Sequence, residues 1–229
     1  MRINKFLSRS GVCSKRQADR LILAGDVMVN GRTAEVGLKV SGSDEISVCG
    51  KLVTGEPDRK LALYYKPKGV VCTHDVSIEG NLPSQLPFDD KLMVVGRLDK
   101  DSEGLLLLTN QGEWVNRILQ PSFAHPKRYR VWVEKPISDE SLEQMAAGVK
   151  MLGQKTLPCR IYRLDEKVFE IVLTQGLNRQ IRRMVKSVGN RVIRLLRVEI
   201  MHFPLGELAP GEWRHARVAE IAQLIEALE

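Results

Sequence analysis

No stretch of this 229-residue chain approaches the roughly 20 consecutive apolar residues that cross a bilayer, so no membrane-spanning helix is expected. Met1-Arg2-Ile3-Asn4-Lys5 lacks the apolar core of a signal peptide, and export is not expected either. Cysteine is sparse: Cys13, Cys49, Cys72 and Cys159 lie far apart and form none of the close pairs of a zinc site. A reducing cytoplasm is the simplest home for such a chain. The histidines are equally scattered, so no metal centre is expected. There is no long internal repeat and no low-complexity tract.

What the chain does have is positive charge. Thirty-five Lys and Arg stand against 28 Asp and Glu, a formal net charge of +7. That balance points to a polyanionic partner, either nucleic acid or an anionic membrane surface. A hydrophobic content of 43% is enough for a packed core, and the length suits one mid-sized domain plus a small one.

Residues 1–50 read as the small unit. Ile3, Phe6 and Leu7 make a short helical stripe that Gly11 ends. Ser14 and Gln17 form a capping-box pattern for a second helix, whose apolar face is Ala18, Leu21 and Ile22. Val27-Met28-Val29 then runs into Asn30-Gly31, a strong two-residue hairpin turn, and a β segment follows through Val40, Ile46 and Val48. From Arg2 to Arg32 there are seven basic residues and two acidic ones. A solvated helix face is the ordinary reading of such charge. Residues 51–60, with Gly55 and Pro57, read as a linker.

From 61 to 229 strands alternate with inserted helices: Leu61 to Tyr65, Met93 to Val95, Leu105 to Leu108, Arg128 to Glu134 and Val168 to Thr174 as strands, with helices near Glu113 to Leu119 and after Ser138. This pattern predicts an α+β fold whose sheet is mostly antiparallel, with flanking helices.

Three segments of this larger region carry chemistry. Gly96-Arg97-Leu98-Asp99-Lys100-Asp101-Ser102-Glu103-Gly104-Leu105 puts one carboxylate, Asp99, in a loop ahead of an apolar strand, between Arg97 and Lys100. An Asp there is ordinarily a turn residue. Set in a basic cleft, it can instead act on a substrate that the surrounding charge binds. Lys127-Arg128-Tyr129-Arg130-Val131 puts Tyr129 on one strand face with Val131 and Val133, among cations. Such a ring is ordinarily core, but beside basic residues it is also a platform for a base lifted from its stack. Gly176-Leu177-Asn178-Arg179-Gln180-Ile181-Arg182-Arg183-Met184 opens a helix that Asn178 is placed to cap and Gly189 to end. Ile181, Met184, Val185 and Val188 form its buried stripe, and Arg179, Arg182, Arg183 and Lys186 lie roughly opposite. Gly176 to Arg197 holds seven basic residues and no acidic one. Like charges one turn apart repel, which favours a nearby polyanion.

Gly-Arg-Leu-Asp, four residues, then Gly-Leu resembles the signature of pseudouridine synthases. Two short helices followed by Val-Xaa-Val-Asn-Gly resemble the S4 RNA-binding module over nearly all of residues 1–49. Taken end to end, the chain resembles the bacterial ribosomal-RNA pseudouridine synthases with an N-terminal S4 module. It is nearest the large-subunit members of the single-uridine branch, with small-subunit rRNA also compatible. The resemblance implies that Asp99 is catalytic, either as nucleophile at the anomeric carbon or as base at the adjacent carbon. It implies that Arg182 pairs with Asp99, that Tyr129 packs against the target base and takes part in proton transfer, and that Leu173 lies beside the ring. It also implies substrate contacts by Arg97, Leu98, Arg179, Gln180, Arg183, Lys66 and Lys68, the basic ones to phosphate. Arg2, Lys5, Lys15, Arg16, Arg20 and Arg32 would hold RNA through the small module. No cofactor or metal is implied. The implied partner is structured rRNA, free of protein or in an assembly intermediate, met by a cytoplasmic monomer that does not bind membrane. Two rival readings stand beside this one. One is a non-catalytic S4-type ribosome-assembly factor in which Asp99 is a turn residue. The other is a nucleoside-hydrolysing glycosidase that pairs Asp99 with Asp101 or Glu103.

Overall fold

The computed structural model describes residues 1–54, 59–73, 75, 77–86 and 92–229. They form two compact units. One is Met1–Lys60 with Lys91–Met93 and Asn110–Gly112; the other is Leu61–Asp90, Val94–Thr109 and Glu113–Glu229.

The small unit opens with α1 (Ile3–Arg9) and α2 (Lys15–Leu23), followed by strands β1 (Val27–Val29), β2 (Arg32–Thr33), β3 (Ile46–Val48) and β4 (Lys51–Leu52) in the order β2-β1-β3-β4. Ser14 Oγ accepts the Gln17 backbone N–H at 3.3 Å, the forward half of the expected capping box. Ile3, Leu7, Ala18, Ile22, Val27 and Ile46 are buried together. Asn30 (φ 50°) and Gly31 (φ 75°) both take the left-handed conformation that a type I′ hairpin demands. Cys49 (φ 48°) and Gly50 (φ 75°) repeat it and turn the chain into β4. Pairing therefore runs two residues past the boundary expected at residue 50, into the start of the expected linker; residues 55–58 of that linker lie outside the described residues. Val40 is buried, but outside the strands.

The larger unit, with the first residues of β6 and α3 excepted, contains β5 (Leu61–Lys66), β6 (Met93–Val95), β7 (Glu103–Thr109), α3 (Gly112–Leu119), β8 (Lys127–Val133), α4 (Asp139–Ala146), β9 (Lys150–Met151), β10 (Gln154–Lys155), β11 (Arg160–Asp165), β12 (Val168–Leu173), α5 (Gln180–Ser187), β13 (Val192–Ile200), β14 (Phe203–Pro204), β15 (Trp213–His215) and α6 (Val218–Leu228). Its main sheet runs β11-β12-β8-β13-β7-β5-β15, with β6 on β7 and β14 on β13. The architecture is α+β and mostly antiparallel, as expected.

Leu105 to Leu108 reads as a continuous apolar run because β7 is covered on both faces. One face packs Leu63, Leu105, Leu107 and Phe203 against Trp114 of α3 and Leu224 of α6. A second cluster, on β8 and β12, packs Val131, Val133, Phe169 and Ile171 against Met145 of α4 and Met184 of α5.

One junction is unlike the rest. β7 and β13 pair in parallel, Leu196 opposite Glu103 and Arg197 opposite Gly104. Gly104 has φ 108°, and a Cβ there would lie 2.4 Å from the Arg197 carbonyl oxygen and 2.7 Å from its nitrogen. Only glycine permits that approach. At the far end of the unit, Arg214 grips both carboxylate oxygens of Glu220 at 2.7 Å, and Glu220 accepts the Arg217 N–H at the start of α6.

Gly104→Ala is expected to destabilise the protein by about 2 kcal/mol or more, since strained backbone and steric overlap add; urea unfolding measures it. The Arg214 hydrogen bonds hold the Glu220 carboxyl down at about 2, against an ordinary value of 4.5. This carboxylate stabilises the fold fully above the ordinary value, and the contribution disappears as pH falls toward the lowered one. Thermal unfolding followed from about pH 5 to pH 3 should therefore show a shallower decline for Glu220→Gln than for the wild type.

Candidate active site

Residues 96–102 form the loop between β6 and β7. Gly96 (φ 78°) turns the chain off β6. The Ser102 N–H donates to the Asp99 carbonyl at 3.0 Å, closing a turn around the aspartate, and the Gly69 N–H donates to the Lys100 carbonyl at 2.8 Å. On a third side the Leu98 N–H meets Cys72 Sγ at 3.5 Å. Asp99 is thus held on a loop tied down by its neighbours, with its side chain 35% exposed.

The Asp99 side chain faces a cavity of about 490 Å³. Tyr129 and Leu173 line it from β8 and β12, and Arg97 and Leu98 from the loop itself. The turn into α5 adds Arg179, Gln180 and Arg182. Leu173 is 3% exposed. Gln180 shapes the turn: its Oε1 accepts the Leu177 N–H at 3.0 Å and its Nε2 donates to Gln175 Oε1 at 3.3 Å.

The basic residues are arranged differently from expectation. Asn178 does not cap the helix. Arg179 does, in the left-handed conformation (φ 50°), and α5 begins at Gln180. That turn directs the Arg179 guanidinium to Asp101 Oδ2 at 2.9 Å and to Asp99 Oδ2 at 3.8 Å. The arginine paired with Asp99 is therefore Arg179 and not Arg182. Arg182 donates instead to the Asp101 carbonyl at 3.0 Å and Ser102 Oγ at 3.3 Å, bracing the loop while still lining the cavity. The Arg179 hydrogen bond also holds the Asp101 carboxyl below the ordinary aspartate range.

Other expected contacts fall away. Arg183 folds back on Asn178, donating to its carbonyl at 3.1 Å and its Oδ1 at 3.3 Å, and does not line the cavity. Lys66 is fully buried, because β5 is covered on both faces; its Nζ donates to the carbonyls of Pro67 at 2.8 Å and Val70 at 2.9 Å. Burial pushes its ammonium below the ordinary lysine range. Lys68 is exposed but lies outside the cavity lining. Arg128 and Arg130 do not crowd Tyr129. Strand alternation turns them to the opposite face, where Glu170 takes them at 3.4 and 2.9 Å. The cation over the Tyr129 ring is Arg197, 6.0 Å from its centroid.

Arg197 and Cys72 are the neighbours that sequence reasoning missed. The signal for Arg197 was a single arginine inside the apolar run Leu195-Leu196-Arg197-Val198. The carboxylates of the glycosidase reading are both engaged: Asp101 by Arg179, and Glu103 by the Tyr65 hydroxyl at 2.8 Å and Arg194 at 2.7 Å. In the small unit Arg2, Lys15, Arg16, Arg20 and Arg32 are exposed and Lys5 is half-buried. Arg32 lines a second cavity beside the Asn30-Gly31 turn.

The cavity thus joins one carboxylate, an aromatic ring and several guanidinium groups, a lining suited to a polyanionic substrate. Comparison with known proteins agrees. The family model described as RNA pseudouridylate synthase matches residues 60–187, and that of the S4 domain matches residues 1–46. Dual-specificity RNA pseudouridine synthase RluF of Salmonella typhi is 42% identical over 232 residues, covering 100% of this chain and 80% of that one. Ribosomal large subunit pseudouridine synthase B of Bacillus subtilis (strain 168) is 34% identical over 238 residues, covering 97% and 95%. A crystal structure of a pseudouridylate synthase, 29% identical, superposes with a TM-score of 0.71 over 98% of this chain and 99% of that one. With both family models matched and Asp99, Tyr129, Leu173, Arg179 and Arg182 all inside the segment the larger one covers, this chain belongs to the RNA pseudouridylate synthase family and carries an S4 domain ahead of the synthase domain.

Proposed function

We propose that this protein isomerises a uridine of ribosomal RNA to pseudouridine, that large-subunit rRNA is its substrate, and that Asp99 carries the reaction. The observation that supports this most directly is Asp99 on a loop tied down by its neighbours, facing Tyr129 and Leu173 across a cavity large enough for an extruded nucleotide. The bond from C1′ of the ribose to N1 of uracil breaks, the base turns within the cavity, and C5 joins C1′ while its proton is lost and N1 gains one. Nothing is added or removed overall, and no cofactor or metal is needed. Asp99 acts on the ribose, as nucleophile at C1′ or as base at C2′. Tyr129 stacks on the base and assists the C5 proton, and Leu173 closes the other side of the ring.

Arg179 keeps Asp99 aimed, and Arg182 holds the loop. Arg97 and Lys100, exposed at the cavity, meet phosphate. Arg2, Lys15, Arg16, Arg20 and Arg32 of the small unit supply affinity for structured rRNA through phosphate contacts, which carry no sequence information. The names of the relatives support ribosomal RNA, and the dual-specificity name supports mapping all cellular RNA rather than one class. Among the described residues no helix is long and apolar enough to cross a membrane, and cytoplasmic action on free rRNA or an assembly intermediate fits.

Asp99→Asn should bind rRNA as the wild type does and release no tritium from C5-labelled uridine; full release, or free uracil as product, would overturn the assignment. Arg179→Ala should lower turnover by about 10²-fold, as loss of one preorganised charged donor does. Arg183→Ala, whose side chain is turned onto Asn178, should stay within about threefold. Equal effects of the two in steady-state kinetics would restore the unpaired basic stripe read from the sequence.

A further inference from the structure

Arg197 is 2% exposed and forms no ion pair among the described residues. Its Nε donates to the Leu105 carbonyl at 2.8 Å, its Nη1 reaches the Arg97 carbonyl at 3.5 Å, and its Nη2 has no partner. Those two carbonyls bracket Asp99 in the chain, Arg97 within its loop and Leu105 in β7 just beyond it. The guanidinium also lies 6.0 Å from the centroid of Tyr129. One buried cation therefore touches both the segment that holds the carboxylate and the ring expected to hold the base.

It is not alone. Lys66 is fully buried on backbone carbonyls, and Lys127, half-buried, donates to the His125 carbonyl at 3.3 Å. Burial pushes both ammonium groups below the ordinary lysine range, and the charge of Arg197 adds to the push on each. Neither lysine forms an ion pair among the described residues. Arg197 and Lys66 are buried cations bonded to neutral carbonyls, with the charges of Glu103 and Asp101 only partly offsetting the burial of Lys66, and an unpaired charge in a protein interior is costly. Such a fixed charge acts strongly on negative charge that develops nearby, because no reorganisation is needed at the moment of reaction.

We propose that Arg197 is a positioning residue of the isomerisation. Joined by Lys66 and Lys127, it fixes the Asp99 loop and Tyr129 and sets a positive potential that favours the uracil as an anion. The need for it follows from the electron count. When the C1′–N1 bond breaks, the bonding pair leaves with uracil, whose carbonyl oxygens share the negative charge. Bonding of C5 to the electron-poor C1′ neutralises that charge, loss of the C5 proton returns it to the ring, and N1 discharges it by taking up a proton. Arg197 contributes while the base is detached and does little for RNA binding, since it does not line the cavity.

This inference rests on the roles given above to Asp99 and Tyr129, and Asp99→Asn tests those roles separately. The test compares Arg197→Gln, which keeps a donor for the Leu105 carbonyl without charge, and Arg197→Lys, which keeps the charge. Both are assayed by tritium release on the RNA that the wild-type enzyme modifies, with circular-dichroism melting as the control for folding. Arg197→Gln should lose about 30- to 100-fold in kcat with KM within about threefold, and Arg197→Lys should recover most of that loss. Retention of kcat within about twofold in Arg197→Gln would overturn the proposal. So would a loss confined to KM, or a lysine variant that melts normally yet is no better than the glutamine one. If Arg197→Gln does not fold, Lys127→Gln decides. A fall in kcat of about fivefold or more at unchanged KM supports the shared potential, and unchanged kcat overturns it.

Discussion

The site depends on the contact between the backbone of Gly104 and that of Arg197. β7 and β13 meet there in parallel, and the missing Cβ lets them approach closer than any other residue would allow. Fixing that seam fixes where the loop ahead of β7 ends, and so where Asp99 stands. It also delivers the Arg197 side chain to the Leu105 and Arg97 carbonyls, one on each side of the aspartate. The final glycine of the segment from Gly96 to Gly104 is thus a packing requirement that also sets the place of the Asp99 loop, and the first glycine, Gly96, is the turn off β6.

Net charge is a poor guide to which cations are available. Much of the arginine excess of the larger unit is committed internally: Arg128 and Arg130 to Glu170, Arg194 to Glu103, Arg214 to Glu220, and Arg179 to Asp101. What remains exposed at the cavity is Arg97 and Lys100. The +7 balance therefore speaks to a polyanionic partner, while the chemistry is governed by a few guanidinium groups whose direction is set by hydrogen bonds.

Features decided by local chemistry were legible in the sequence. Asn30-Gly31 had to be a hairpin, Tyr129 had to share a face with Val131 and Val133, and the buried stripe of α5 followed from its spacing. Features decided by tertiary placement were not. A single left-handed residue, Arg179, moved the helix start and exchanged the partner of Asp99, because helical spacing gives a face but not a reach. Lys66 looked like a surface lysine after a strand, and only the sheet order that covers β5 on both faces buries it. The hairpin into β4 was missed because its left-handed turn begins with Cys49, where Asn is the familiar signal. Arg197 went unassigned because a lone arginine among leucines acquires meaning only once its neighbours across the sheet are known.

An isomerisation with no net exchange of atoms still passes through separated charge: the sugar becomes electron-poor as the base becomes electron-rich. A cavity that favours only one of these leaves the other uncompensated in a partly dry interior, where the effective dielectric is low. The arrangement here answers both. On the proposed reading Asp99, half-buried beside Arg179, acts on the sugar, and Arg197, 6.0 Å from the centroid of Tyr129, stands on the side of the base. Arg179 is shared between two carboxylates, at 2.9 Å from Asp101 and 3.8 Å from Asp99, so the closer contact is to Asp101. That asymmetry leaves the Asp99 carboxylate oriented but not saturated. An oxygen bound as tightly as that of Asp101 would have to give up its hydrogen bond before it could reach a ribose, whereas the role proposed for Asp99 requires no such loss while its loop stays in place.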